Sequence, residues 1–273
     1  QEARDSFTFE EWLDALMNTI GLNHERYTPR QKLVFLSRLV PLIEGNVTLM
    51  EFGPRATGKT YLYRNASYYT RIFSGGNISP ATLFYNIARR ALGEIGVKDA
   101  VILDEISKVK FSNPDEMVGN LKDFIESGHF ERGPKRAVST CSIMFMGNIQ
   151  VEMREGGYVP IEDFTYVMPQ DMRDSALVDR VYGVIPGWEL PKIGRSAHHL
   201  SRGYGMASDY FCEVLHEMRK LGFGHIIEQE VELIGDYTIR DEKSVRRVAS
   251  GLLKLLVPNE SINRSELKAI MDM

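Results

Sequence analysis

Apolar positions along this chain recur with two different periods. Phe9, Trp12, Leu13, Leu16 and Met17 fall at helical spacing and predict an amphipathic helix over 7–20. Thr28-Pro29 supplies a cap and a first-turn proline for a second helix, carried by Leu33, Leu36, Leu39 and Val40 to about Ile43. The pattern then changes. Residues 46–52 are rich in Val, Leu, Met and Phe and read as a first strand, followed by a glycine-bearing loop and a helix beginning near Lys59. Further short apolar runs predict strands over 71–74, 100–103, 142–146 and 181–185. Between them, Gly75-Gly76-Asn77 reads as a turn, Ser79-Pro80 as the start of a helix through Ala91, and 115–126 as a helix. The run at 100–103 is apolar on both faces, which suits a buried parallel strand. After Pro191 the strand signals fade, and 208–221, 228–234, 242–256 and the charged stretch 265–273 read as helices. There is no internal repeat. Strands alternating with helices predict a parallel sheet between helix layers. The expected division is an α/β domain with N-terminal helices over 1–195 and a small helical domain over 196–273.

Composition narrows the class. The 273 residues are 43% apolar and 26% charged, which excludes a disordered or low-complexity chain. With 33 basic and 37 acidic side chains the net charge is −4, so a globally basic nucleic-acid coat is excluded while a local basic strip is not. Cys141 and Cys212 cannot build a disulfide framework and read as two reduced thiols of a cytoplasmic protein. No apolar run approaches the ~20 residues of a bilayer span, so no membrane role is expected. The absent initiator methionine and the charged end suggest a piece of a longer polypeptide.

The strongest chemical signal is Gly53-Pro54-Arg55-Ala56-Thr57-Gly58-Lys59-Thr60, a full match to G-x-x-x-x-G-K-[ST]. Glycines let the backbone curl so that N–H groups face phosphate oxygens, and the helix that follows points its positive end at the same anion. Lys59 reaches the β- and γ-phosphates, and the Thr60 hydroxyl ligates Mg²⁺. The competing reading is a chance match on a glycine turn, but the strand before it and the helix after it are the context the motif requires. A second signature is Asp99 to Glu105, where an apolar strand ends in two acids. Strand polarity puts Asp104 at the carboxyl edge of the sheet, where it would hold Mg²⁺, with Glu105 polarising the attacking water. Two exposed acids ending a strand are the plain alternative.

Three further features are weaker. Ser142 to Asn148 ends a core strand in an amide able to bond the attacking water and the γ-phosphate, or forms an ordinary Gly147-Asn148 turn. Arg180 lies at a helix-to-strand junction, placed to reach a neighbouring subunit's nucleotide as an arginine finger, or else to pair with Asp179 or Asp174; Arg173 is the reserve. Arg246 and Arg247 fall in the first turns of a late helix starting near Asp241, where a cation opposes the macrodipole, so a phosphate partner would explain them. Two solvated arginines explain them nearly as well.

In this order the motifs resemble those of the AAA+ ATPases, over roughly residues 30–257. Gly53–Thr60 resembles Walker A, Leu103-Asp104-Glu105 Walker B, Asn148 sensor 1, Arg180 the arginine finger, and Arg246 or Arg247 sensor 2. The run through Tyr61, then Leu-Asp-Glu-Ile-Ser-Lys, Met-Gly-Asn-Ile and Ile185-Pro186-Gly187-Trp188-Glu189, is similar to the Lon-like ATPases of bacteriophage-exclusion (BREX) defence systems. The resemblance implies a P-loop NTPase with a three-layer α-β-α parallel sheet and a small C-terminal helical lid, binding ATP and Mg²⁺ through residues 53–61. It implies a ring, expected as a hexamer, since Arg180 is useful only across an interface. Members of that group are longer, with an N-terminal domain and a Lon-protease-like C-terminal region; no length remains here for the latter, and no Ser–Lys dyad is assigned.

Residues 125–137 resemble the β-hairpin inserted before sensor 1 in the Lon, minichromosome-maintenance and enhancer-binding branches. Its tip carries Arg132, Lys135 and Arg136, and this hairpin or the segment 74–80 is expected to face the pore. Basic tips favour a DNA backbone, whereas an unfoldase pore favours an aromatic or bulky apolar grip on a polypeptide. Three classes stand: a DNA motor in phage defence, with other BREX components as partners; the ATPase module of a protein-degrading machine; and a slow nucleotide-dependent scaffold, against which Glu105 argues.

Overall fold

The five apolar runs pair side by side in a computed structural model, which describes residues 2–155, 157–194, 198–230 and 233–271. They form β1 (Thr48–Gly53), β2 (Thr70–Ile78), β3 (Ala100–Phe111), β4 (Ser142–Asn148) and β5 (Gly183–Pro186). All neighbours are parallel, in the order β5-β1-β4-β3-β2. β1 and the first half of β3 are buried on both faces, as expected of inner parallel strands. The chain is therefore a mixed α/β protein on a five-stranded parallel sheet.

Two packed units divide the chain. The sheet belongs to residues 45–55 and 69–189; residues 1–44, 56–68 and 190–273 form the other unit. The expected boundary between 195 and 196 lies outside the described residues. In the sheet unit, the Pro114–Ser127 helix buries Met117, Leu121, Phe124 and Ile125. The Phe130 ring stands 6.2 Å from Phe124 and 5.4 Å from Phe84, extending that core beneath the neighbouring hairpins.

The other unit is helical. Thr8 with Glu11, and Thr28 with Gln31, form capping boxes that start the Phe9–Thr19 and Pro29–Ser37 helices. A buried carboxylate organises its later part. Glu44 takes Arg247 Nη1 at 2.7 Å on one oxygen, and Lys254 Nζ at 2.7 Å with Ser250 Oγ at 3.0 Å on the other. All three partners lie on the Ile239–Leu256 helix, which Thr238 and Asp241 cap.

Several elements differ from expectation. The helix predicted to Ile43 stops at Ser37 and resumes over Val40–Ile43, because Pro41 has no N–H to donate to the carbonyl of residue 37. Gly75-Gly76-Asn77 is not a turn. The strand runs through it with a register shift between Ser74 and Gly76, and pairing resumes at Gly76 with Val109. The helix predicted through Ala91 ends at Leu83, and a small hairpin, Tyr85–Asn86 with Ala91–Leu92, follows. Leu83, Phe84 and Tyr85 are buried in succession, and the Phe84 carbonyl accepts the Gly93 N–H at 2.7 Å, which folds the segment back on itself. β3 runs eight residues past Leu103, with Ile106, Val109 and Phe111 buried among polar neighbours. The helix expected at 228–234 is Gly224–Glu230, with 231 and 232 outside the described residues; the last is Arg264–Met271, with 272 and 273 outside them.

Candidate functional site

Loop 53–60 joins β1 to the Lys59–Ala66 helix. Gly53 closes the strand where backbone passes very near: an added Cβ would sit 2.5 Å from the carbonyl carbon of Gly187. Gly58 caps the helix at φ +79°, a left-handed geometry that glycine adopts without cost. Ala56 also holds a positive φ, 68°. Strained backbone of this kind collects at ligand clamps. Arg55 and Tyr61 are exposed, Pro54, Gly58 and Thr60 half-buried, and Lys59 and Thr57 buried.

The second half of the loop is tied from its own unit. The Ala56 carbonyl accepts Ile193 N–H at 2.8 Å, and the Thr57 carbonyl accepts Arg38 Nη1 at 2.9 Å. Arg38 is fully buried, its guanidinium 4.9 Å from the Phe35 ring centroid. Sequence reasoning missed Arg38. The signal was a lone cation inside the apolar run 33–43, a placement that requires a buried acceptor. Arg38 also bears on Tyr27, whose hydroxyl burial pushes up to about 12, with the Arg38 charge acting in the opposite sense.

Within the sheet unit, the carboxyl edge brings three predicted residues onto adjacent strands. Gly53 on β1 is in register with Asn148 on β4, and β4 pairs in turn with β3, which carries Asp104. Asn148 is exposed at the strand end, while Asp104 is buried. Asp104 Oδ1 accepts the Glu105 N–H at 2.8 Å. Glu105 adopts φ 49°, and its carboxylate meets Lys108 Nζ at 2.9 Å. Between Asp104 and Val109 β3 bulges against Gly75 of β2, so the acid pair sits where the ladder breaks.

The arginines take distinct places. Arg180 pairs with Glu126 Oε2 at 3.1 Å and donates to the Ala176 carbonyl at 2.6 Å. Of the two acids suggested for it, Asp174 is held by Lys122 at 3.0 Å and caps the Ser175–Val178 helix. That Lys122 hydrogen bond keeps the Asp174 carboxyl below its ordinary value. Arg173 donates to the carbonyls of Met168 and Tyr166 and fastens that turn. Arg246 and Arg247 do not lie in the first turns. The helix starts at Ile239, about two turns ahead of Arg246 and Arg247, and the argument from the macrodipole lapses. Arg246 bonds Glu242 one turn back, at 2.9 Å, whereas Arg247 is committed to buried Glu44.

The predicted hairpin is present as His129–Arg132 with Lys135–Val138. Its cations differ. Arg132 turns inward to Glu116 Oε1 at 2.7 Å and the Tyr85 carbonyl at 2.7 Å. Arg136 pairs with Glu131 at 2.9 Å with both side chains exposed, and Lys135 is exposed.

A five-stranded parallel sheet whose first strand runs through a glycine loop into a helix, with an acid pair at the ladder break of an inner strand, is consistent with a P-loop ATPase domain. A family model described as "Lon-like protease BrxL-like, ATPase domain" matches residues 1–273, and the chain belongs to that family. It is 34% identical over 270 residues to a Lon-like protease BrxL of Escherichia coli O9:H4 (strain HS), covering 99% of this chain and 38% of that protein. It is 35% identical over 271 residues to a Lon-like protease BrxL of Bacillus cereus (strain H3081.97), covering 99% of this chain and 39% of that one. The chain thus spans under two fifths of the length of these relatives. Among the described residues no helix is long and apolar enough to cross a membrane.

Proposed function

We propose that this chain is the ATP-hydrolysing module of a ring motor, a hexamer, that acts on DNA in bacteriophage-exclusion defence. The observation that carries the hydrolytic part is the register that sets Gly53 beside Asn148 at the ends of β1 and β4, with Asp104 on the adjacent β3 just past its last pair with β4. Ligands bind there in open α/β sheets. The residues fit a magnesium nucleotide. Within its own unit the loop carries a left-handed Gly58 opening a helix whose first residues are an amine and a hydroxyl, Lys59 and Thr60, and the sheet unit carries a buried acid, Asp104. When bound with the nucleotide, Mg²⁺ supplies charge neutralisation at the phosphate oxygens.

In this reading the N–H groups of 53–60 and Lys59 hold the phosphates, with Tyr61 at the start of the helix. Thr60 and Asp104 hold the metal. Glu105 takes a proton from the attacking water, and Asn148 orients that water. The Glu105–Lys108 contact is half-exposed, and opening such a pair costs about 1 kcal/mol or less. Arg180 acts across a subunit interface. Arg246, whose partner is a neighbour on its own helix, is the better of the two late arginines for the nucleotide, since Arg247 is committed to Glu44.

Lys135 and Arg136 support DNA as the polymer; Arg132, spent on Glu116, does not. Steady-state ATPase assays with and without duplex DNA, alongside the mass of the nucleotide-bound particle, test this reading. DNA-stimulated turnover by a hexamer is expected. Turnover that responds to an unfolded polypeptide and ignores DNA would establish the second reading, the ATPase module of a protein-processing machine, which the protease in the relatives' names favours.

A further inference from the structure

We infer that the nucleic-acid surface is built from two hairpins rather than one, with Arg89 and Arg90 supplying half of its cations; this rests on the proposed action on DNA. The hairpin Tyr85–Asn86 with Ala91–Leu92 has no counterpart in the sequence reading, which placed a helix there. It lies directly against the tip of the 129–138 hairpin. Arg132 Nη1 donates to the Tyr85 carbonyl, and a Cβ added to Gly133 would fall 2.8 Å from Ile87 Cδ1. The turns that carry Arg89-Arg90 and Lys135-Arg136 are therefore neighbours within one unit.

Charge around these turns is strongly one-sided. Residues 85–92 and 129–138 hold five cations and one carboxylate, in a chain whose net charge is −4. Two of the five are neutralised at home: Arg132 by Glu116, and Arg136 by Glu131. Arg89, Arg90 and Lys135 are exposed and form no ion pair among the described residues. Asn86 accepts the Arg89 N–H at 2.9 Å and closes the turn, and Arg90 is held at φ 51°. A residue with a Cβ is disfavoured in the left-handed region. The turn thus presents two adjacent guanidinium groups from a fixed backbone. Guanidinium forks match phosphate oxygens bidentately. Unpaired cations on two touching turns suit a repeating phosphodiester backbone, read without regard to sequence.

The test is duplex DNA binding to this chain by fluorescence anisotropy across KCl concentrations. R89A/R90G removes both charges and relieves the backbone at 90; R89K/R90K keeps the charges. Each phosphate contact contributes about 0.9 to the slope of log affinity against log salt. R89A/R90G should flatten the slope by about 1.8, so that the wild type loses about twelvefold more affinity than the variant between 50 and 200 mM salt. R89K/R90K should keep the wild-type slope, and nucleotide binding should be equal in all three. If R89A/R90G keeps the wild-type slope while K135A/R136A flattens it, the second hairpin is excluded and the DNA reading stands. If the wild type binds an unfolded polypeptide and no DNA, both fall together.

Discussion

Replacing Arg38 with methionine isolates a fully buried support of the phosphate loop, a guanidinium 19 residues before Thr57. Methionine keeps much of the volume and the apolar stem, so the change removes the hydrogen bond to the Thr57 carbonyl and the charge over Phe35 without opening a large void. A buried hydrogen bond from a charged donor contributes about 1.5–3 kcal/mol. A desolvated cation–π contact adds up to about 2 kcal/mol. The Arg38→Met chain should therefore be about 3 kcal/mol less stable in urea titration. If the carbonyl bond is what fixes the loop for phosphate, most of its share appears as lost affinity, and ATP dissociation constants should rise by about tenfold or more, since 1.4 kcal/mol is a factor of ten. The control is Leu36→Ala, at a fully buried position two residues away, where a cavity costs about 2–5 kcal/mol with no polar partner lost. It should match the stability loss and leave ATP affinity unchanged by calorimetry. Equal affinity in the two variants would refute the argument that Arg38 shapes the loop.

Lys59→Ala should abolish measurable ATP binding by calorimetry, and retained affinity would remove the loop from the site. Glu105→Gln should bind ATP normally yet turn over about 10²–10⁴-fold more slowly in a phosphate-release assay, the range for loss of a general base. Arg247→Ala leaves a buried carboxylate short of one cation and should cost about 3 kcal/mol by urea unfolding, whereas Arg246→Ala should leave stability within about 0.5 kcal/mol and change nucleotide affinity instead. Asp174 is held below its ordinary value of 3.8 by its hydrogen bond to Lys122. Its stabilising effect is then complete above that value and lost as pH falls through the lower folded value. The melting-temperature gap between wild type and Asp174→Asn should be open at neutral pH and close in acid below about 3.8.

How much of this was legible in the chain follows from the range of the forces involved. The sheet strands could be read because inner parallel strands are short runs of apolar residues bounded by turns, and all five appear where such runs occur. The loop 53–60 could be read because its geometry is local: two glycines, one lysine and a helix start in eight residues. Where local rules were enough, the details held, as at the Thr28-Pro29 cap. They failed where a distant neighbour decided the outcome. Gly75-Gly76 reads as a turn on its own, yet becomes a bulge because β3 offers a partner beyond the acid pair. The segment 84–92 has the composition of a helix, yet it folds back as a hairpin that pairs Tyr85 with Leu92 and Asn86 with Ala91. Arg38 reads as an interruption of an apolar helix until the Thr57 carbonyl is seen beside it.

The arginines make the same point energetically. One residue type supplies a loop buttress, a turn clasp, a helix-to-helix pair, a finger candidate and a sensor candidate, and sequence cannot rank them, because the ranking depends on which acceptor lies across space. Burial of the partner ranks them. Parting Arg247 from Glu44, whose side chain is 6% exposed, leaves an interior carboxylate short of one cation, at a cost of about 3 kcal/mol. Arg180 and Glu126 are 22% and 42% exposed, so water replaces the lost partner and separation costs about 1 kcal/mol. On the proposed reading, a residue that serves a neighbour's nucleotide would have to leave its partner at home whenever a ring formed. Arg180 could do so within the energy of a single new charge-assisted hydrogen bond, which suits the proposed finger, whereas Arg247, one of the two sensor candidates, is held by buried Glu44.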